Sequence, residues 1–277
     1  MSSNNALIDA LTLRQILIQR YSKGESIRLL RHLKRLSADL QKVVGNEYAT
    51  ARAVNLAKKV EQITKVYLIE YGDDMMQGLR DFSETEAKFA QQAILATTAA
   101  EVTSPASIAQ LHSVLTRVPM KLIVGKRTEV LTVNQAVSTF TKRRSKEVAQ
   151  IIRDGVTVGK TSQEVVKEIT ELVGNKFKNQ AASLVRTTTN HMGAQARSIT
   201  YATNDDVIDS EDFPVGVGPM PPLHWGCRTL RTPKVNPKYD LGSDIVGQRA
   251  SIDGPVSGKV TYGGFLKRQS NAAQNEV

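Results

Sequence analysis

Several residue types are scarce in this sequence, and each scarcity excludes something. Cys227 is the only cysteine in 277 residues, so no internal disulfide can form and a disulfide-stapled secreted scaffold is excluded. Aromatic residues make up 5% of the chain, with one tryptophan, Trp225, so any core rests on Leu, Ile, Val and Ala, which suits packed helices better than a sandwich or barrel. No stretch approaches the ~20 apolar residues of a membrane span. The opening MSSNNALIDALTLRQ has neither a basic leader nor a long apolar run, so no signal peptide is read there. These absences lead us to expect a soluble chain, free of membrane, that folds in a reducing cytoplasm. Also missing are G-x-S-x-G, a phosphate-binding loop, a dinucleotide fingerprint and H-E-x-x-H, which together lower the odds of the common enzyme classes.

What the chain does have is a core and an excess of positive charge. Hydrophobic residues are 40% of the total, too many for wholesale disorder, and the formal net charge is +10. Such an excess repels itself and attracts polyanions: DNA, RNA or an acidic protein surface. The charge is uneven. Residues 1–70 carry 12 basic and 6 acidic side chains, residues 71–115 carry 2 and 6, residues 116–180 carry 13 and 6, and residues 181–277 carry 10 and 9. Two basic blocks therefore flank an acidic one.

Apolar spacing predicts helices through most of the chain. Residues 12–44 read as one long helix or a close pair divided at Gly24, with Leu13, Ile16, Leu17, Tyr21, Ile27, Leu30, Leu33, Leu36, Leu40 and Val43 as the buried stripe. A second helix is expected over 46–71 and a third over 83–100, opened by a capping box at Ser83 and Glu86. Pro105 introduces a short helix at 106–116, and 120–131 is strand-like. Capping boxes at Thr132–Gln135 and Thr161–Glu164 open helices ending near Asp154, with Gly155 at C′, and at Gly174. A further helix is expected over 177–203. Residues 204–264 hold many Gly, Pro and Asp and predict short strands and loops, and a last helical turn is expected near 265–269. The expected fold is mainly α: an N-terminal helical bundle or elongated helices over 1–118, a central helical part over 119–203, and a small, loop-rich α+β part over 204–277.

Four groups of residues could carry chemistry. Arg28, Arg31, Arg35 and Lys42 recur at helical spacing, and Lys142, Arg143, Arg144 and Lys146 form a tight cluster; each group is either a solvated face or a contact for DNA or a protein partner. The turn Pro221, Pro222, His224, Cys227, Arg228 contains H-x-x-C, half of a zinc ligand set, so a structural turn is preferred and no metal is expected. Asp205, Asp206, Asp209, Glu211 and Asp212 could offer oxygen ligands to a divalent cation but lack the spacing of a calcium loop. His191, in RTTTNHMGAQAR, is the remaining candidate for acid–base work.

The stretch 150–270 resembles the phage head morphogenesis family, the Mu F-like minor head proteins. The resemblance is carried by IIRDGVTVGKTSQEVVKEI (151–169), ASLVRTTTNHMGAQAR (182–197), FPVGVGPMPPLHWGCR (213–228) and GQRASIDGPVSGKVTYGGFLKRQ (247–269). The third piece is the most specific. LTLRQILIQRYSKGESIRLLRHLKRL is similar to the opening helices of such proteins. Two features depart from the family. The cysteine pair that many relatives carry before the H-x-x-C is missing, and Thr188 stands where relatives often have Glu. The resemblance implies a structural virion component without a cofactor, present in several copies, at the portal vertex or capsid interior after assembly in the host cytoplasm. It implies the portal or major capsid protein and the backbone of double-stranded DNA as partners. Two rivals stand beside it: an enzyme on the same scaffold, such as a nuclease or an ADP-ribosyltransferase-like module, and a general nucleic-acid-binding helical protein.

Overall fold

The computed structural model describes residues 2–212 and 220–242, together with 248–249 and 256–257. The expected tail turn and most of the fourth family-like piece lie outside these residues. The fold is mainly α, with three small two-stranded sheets among the described residues.

Two helices of 45 residues form the long axis. Helix α1, Ser3–Glu47, begins at Ser2, whose hydroxyl accepts the amide of Asn5, and it runs about 67 Å at 1.5 Å per residue. Gly24 does not divide it. The buried stripe is Leu7, Leu11, Ile18, Leu29, Leu33, Leu36, Leu40 and Val44, whereas Leu13, Leu17 and Ile27 are about half exposed. The expected stripe therefore holds at Tyr21 and over 30–43, while Leu13, Leu17 and Ile27 fall on the outer face. Helix α2, Ala53–Thr97, returns alongside α1 and joins the second and third expected helices into one. Its buried residues step by three and four from Leu56 through Leu68, Met75 and Leu79 to Ile94 without interruption. Ser83 is no cap: it is buried, and its hydroxyl donates to the Arg80 carbonyl one turn back. Gly72 lies where a Cβ would stand 2.9 Å from Val137 Cγ1, so the glycine permits close approach of a neighbouring helix and does not end α2.

The rest of the chain packs on this pair. Helix α3, Ile108–Arg117, is opened by a capping box of Ser107 and Gln110. Strands β1, Met120–Val124, and β2, Arg127–Leu131, pair antiparallel across a tight turn with Gly125 at φ 62°. Helix α4, Val133–Val158, starts at the expected Thr132–Gln135 box but passes the expected stop at Gly155 and ends at Gly159, φ 78°. Helix α5, Ser162–Glu171, starts at the Thr161–Glu164 box. It runs through a π-helical turn, Leu172–Phe177, into α6, Lys178–Thr203, so Gly174 bends the path instead of ending it. Strands β3, Ile208–Asp212, and β4, Thr232–Val235, pair antiparallel, as do β5, Gln248–Arg249, and β6, Val256–Ser257.

One core joins the helices: Leu29 of α1, Leu79 of α2, Val114 of α3, Val148 of α4, Ile169 of α5 and Met192 of α6 belong to the same cluster. A second cluster joins Leu7 and Leu11 of α1 to Ile94 of α2 and to Ile208 and Val235 of the β3–β4 pair. The start of α1 is also tied by hydrogen bonds to the late segment: Ser3 N donates to Asp240 (2.9 Å), and Val235 N donates to Asn4 Oδ1 (2.8 Å).

Gly155 marks the tightest helix contact. A Cβ there would stand 2.7 Å from Val165 Cγ2 and 2.9 Å from the Tyr48 hydroxyl. Val165 is fully buried in α5 and has no room to retreat. Gly155→Ala is expected to destabilise the protein by roughly 1–3 kcal/mol through overpacking, despite the better helix propensity of alanine. The urea midpoint of the variant checks this: a midpoint at or above that of the parent would mean that α4, α5 and the α1–α2 corner tolerate separation.

Candidate interaction site

Helix α6 is enclosed on every side between Thr187 and Ala194, yet much of what it buries is polar. Buried polar groups need partners, and these are drawn from three directions. The threonines satisfy their hydroxyls along the helix: Thr187 donates to Ser183 O, and Thr188 to Leu184 O and Val185 O. Thr188 is thus a buried structural residue. Asn190 Nδ2 donates to Thr229 O (3.3 Å), while its Oδ1 accepts from Gln15 Nε2 of α1 (3.1 Å). His191 Nε2 lies 3.2 Å from Val118 O at the end of α3. Burial pushes the His191 imidazole down to about 4, with the Val118 hydrogen bond opposing only weakly. His191 is therefore neutral at pH 7, and Nε2 carries the proton it donates. Its Nδ1 is buried and has no partner among the described residues.

The proline turn docks against this helix. Pro221 and Pro222, joined by a cis peptide, are both buried, and Leu223 O accepts from Ile123 N of β1 (2.8 Å). Cys227 N donates to His224 O (3.1 Å), closing a turn with Gly226 at φ 76°, and Gly226 N donates to the Thr187 hydroxyl (2.7 Å). Arg228 O accepts from Gln15 Nε2 (3.3 Å). The turn sends its two candidate ligands opposite ways. Cys227 is fully buried beside Thr229, whereas His224 is exposed, with Nδ1 near Trp225 O. Among the described residues, no group of three or more His, Cys, Asp and Glu side chains could hold a metal ion. Trp225 reaches across to β2, where its indole N–H donates to Glu129 (3.2 Å). The Arg228 side chain is exposed near the half-buried Arg186; desolvation first, and then the like charge of Arg228, lower the pKa of Arg186.

Among the described residues the acidic run does not converge either. Asn204 is buried and holds Ser104 and Thr200 backbone atoms, while Asp205 and Asp206 are exposed, Asp206 accepting from the Tyr239 hydroxyl (3.3 Å). Asp209 is exposed as well, and the side chains of Glu211 and Asp212 lie outside the described residues.

The basic groups divide. Arg28, Arg31, Arg35 and Lys42 all face solvent on α1. Arg28 pairs with Glu25 (3.3 Å) and Asp74 (3.7 Å), and Glu25 in particular raises its pKa. Among the described residues, no ion pair holds Arg31, Arg35 or Lys42. On α4, Lys142, Arg143 and Lys146 are exposed, but Arg144 is not part of their surface: it is 7% exposed. Its guanidinium lies over Phe140 and Phe177, at 5.8 and 5.6 Å, and bonds Glu147 and Gln180. The expected four-residue cluster is therefore a cluster of three.

One charged constellation has no counterpart in the expectations. Glu86 of α2 is fully buried and receives Arg14 Nε of α1 at 2.7 Å and Arg197 Nη1 of α6 at 3.1 Å. The only sequence signal is Glu86 falling on the buried phase of an uninterrupted α2, a signal that a helix start at Ser83 hides. Comparison of the chain with protein-family models, with curated proteins and with solved structures gives no significant match.

Proposed function

We propose that this chain is a structural minor head protein of a bacteriophage, housed at the portal vertex or capsid interior. In this reading its body meets the portal or major capsid protein, and its basic faces meet the backbone of packaged DNA. The observation that carries the proposal is the role of the proline turn. Residues 220–228, the described part of the segment that most resembles the head morphogenesis family, are built into the body of the protein: they bond β1, α1 and α6, keep Cys227 inside and leave His224 exposed. His191 is likewise a buried, neutral packing residue. Nothing in this arrangement needs a bond-breaking step, whereas Arg31, Arg35, Lys42, Lys142, Arg143 and Lys146 are exposed, and among the described residues no salt bridge holds them. Among the described residues no helix is long and apolar enough to cross a membrane.

Two measurements test the reading. Co-expressed with the portal protein of its own virion, the chain is expected to co-purify with it; failure to associate with portal, capsid protein or procapsids would overturn the proposal. Binding to duplex DNA is expected to be independent of sequence and to weaken steeply with salt. Each lost phosphate contact removes about 0.9 from the log–log salt slope, so Lys142→Ala, Arg143→Ala and Lys146→Ala together should flatten it by roughly 2–3. An unchanged slope would remove α4 from the DNA contact.

A further inference from the structure

Beside the proline turn, the β1–β2 hairpin, α4 and α6 enclose a cleft of about 540 Å³. Phe140, Leu184 and Trp225 form apolar walls, so a guest would meet aromatic and aliphatic surface on entering. The charges around the cleft are unbalanced. Its one lining carboxylate, Glu129, already accepts the indole N–H of Trp225. Arg143 stands exposed at the edge, and Arg144, buried in the wall, spends its Nη1 on Glu147 and Gln180, while its Nε has no partner among the described residues. Ser183 also lines the cleft, and one turn further along α6 is Arg186, whose Nη1 comes within 3.5 Å of the position a Cβ on Gly226 would take, next to Trp225. Among the described residues no ion pair holds Arg186, and the charge acting on it is the like charge of Arg228. Arg186, partly desolvated beside the like charge of Arg228 and held by no ion pair among the described residues, is costly in the free protein, and an incoming anion relieves that cost.

We propose that this cleft anchors an acidic segment of a partner protein, which inserts one bulky apolar side chain between Phe140 and Trp225 and sets its carboxylates against Arg143, Arg186 and Arg228. The inference rests on the reading of the chain as an assembly protein and names the surface through which assembly occurs. Protein chemistry fits better than nucleic acid. A duplex backbone offers charge and no apolar group that could fill a walled cleft, whereas a peptide supplies both at once. Aromatic and arginine side chains around a pocket are also the usual composition of energetic anchor points between proteins. The salt-sensitive DNA contact and this anchor would then use adjacent but different surfaces, Arg143 being common to both.

Trp225 is the sole tryptophan, so intrinsic emission of the full-length protein reports on the cleft directly. The probes are the peptide N-acetyl-Glu-Asp-Phe-Glu-Asp amide, its analogue with Ala for Phe, and oligothymidylate. The Phe peptide is expected to shift the emission saturably and to bind at least about ten-fold more tightly than the Ala peptide, as expected when a large side chain is buried. Arg143→Glu, at an exposed position that the fold does not need, should weaken it by roughly ten-fold or more. Ser183→Phe, which fills the cleft, should abolish the shift while the melting curve stays cooperative. Equal affinity for the two peptides, no response of Trp225, or an equal shift with oligothymidylate would each overturn the proposal, the last by assigning the cleft to a stacked base. The two readings fail separately. Portal association that survives both variants sinks the cleft and leaves the virion role, whereas peptide binding without any portal or capsid association does the reverse.

Discussion

Replacing Glu86 by Gln is expected to cost about 3–5 kcal/mol, the usual consequence of breaking a buried ion pair from one side. The reason is what remains. Glu86 is fully buried and serves two cations, and Arg197 beneath it has a side chain only 3% exposed. With the carboxylate gone, Arg197 keeps its charge, because a guanidinium does not deprotonate in a protein, and it has no water to turn to. Arg14 is different: its side chain is 19% exposed, and its guanidinium also lies 4.8 Å over the Phe89 ring. Arg14→Met should therefore cost less than Glu86→Gln, about 1.5–3 kcal/mol for one charge-assisted bond at the edge of the core. At this chain length each kcal/mol moves the midpoint by roughly 2–4 °C, so Glu86→Gln should melt on the order of 10 °C early. The double variant Glu86→Leu with Arg197→Met should recover much of the loss, since an apolar replacement of a whole buried pair is often neutral. Thermal and urea unfolding of these proteins would decide it. A Glu86→Gln protein within about 1 kcal/mol of the parent would mean that water reaches Arg197 and that the triad does not hold α1, α2 and α6 together.

That triad also shows where residue patterns stop being informative. Short-range chemistry was legible. The boxes at Thr132–Gln135 and Thr161–Glu164 start helices as read, the 120–131 stretch pairs with itself, and apolar steps of three and four give a mainly helical chain. Each of these is settled within a few residues. What failed depended on distant neighbours. Ser83 and Glu86 have the spacing of a capping box, but the packing of α1 and α6 on α2 keeps that helix continuous and turns Glu86 toward two arginines from remote positions. Gly155 differs from its reading as a helix end for the same reason. A glycine costs a helix about 1 kcal/mol, which packing against α5 at Gly155 outweighs. Leu13, Leu17 and Ile27 of the α1 stripe fall outside the contact because a 45-residue helix does not keep one straight line of contact with everything it crosses. Arg144 could have been separated from its neighbours in the sequence. Thr141, Arg144, Val148 and Ile152 step along the inner face of α4, and the charge count hid that phase. Of the candidate site, the turn could be located at Pro221–Arg228, but not the opposite orientations of His224 and Cys227, which depend on how the turn docks on Thr187.

The second large effect concerns His191 and acid. Its imidazole has a pKa of about 4 in the folded protein against an ordinary 6.5 once the chain unfolds. Above pH 6.5 neither state is charged, and the histidine places no penalty on folding. As the pH falls below 6.5, the unfolded chain takes up a proton that the folded protein refuses, so stability declines by about 1.4 kcal/mol per pH unit until the folded state protonates near 4. The loss attributable to this one residue is on the order of 3 kcal/mol across that window. The geometry explains the refusal: the Nε2 hydrogen is used by the Val118 carbonyl, and a second proton would sit on Nδ1, which is buried without an acceptor. His191→Gln keeps an N–H donor for Val118 O and removes the titration. It should be less stable than the parent at pH 7, by about 1–2 kcal/mol for imperfect packing, and the gap should close and reverse between pH 6.5 and 4. Urea unfolding of both proteins at steps through that range gives the comparison, in which carboxylates common to both cancel. Parallel curves would show that His191 titrates normally and is wet, and would reopen the acid–base role that its burial argues against. A crossing would identify the histidine of the family-like α6 segment as a packing residue, held neutral where α3 meets the centre of the fold.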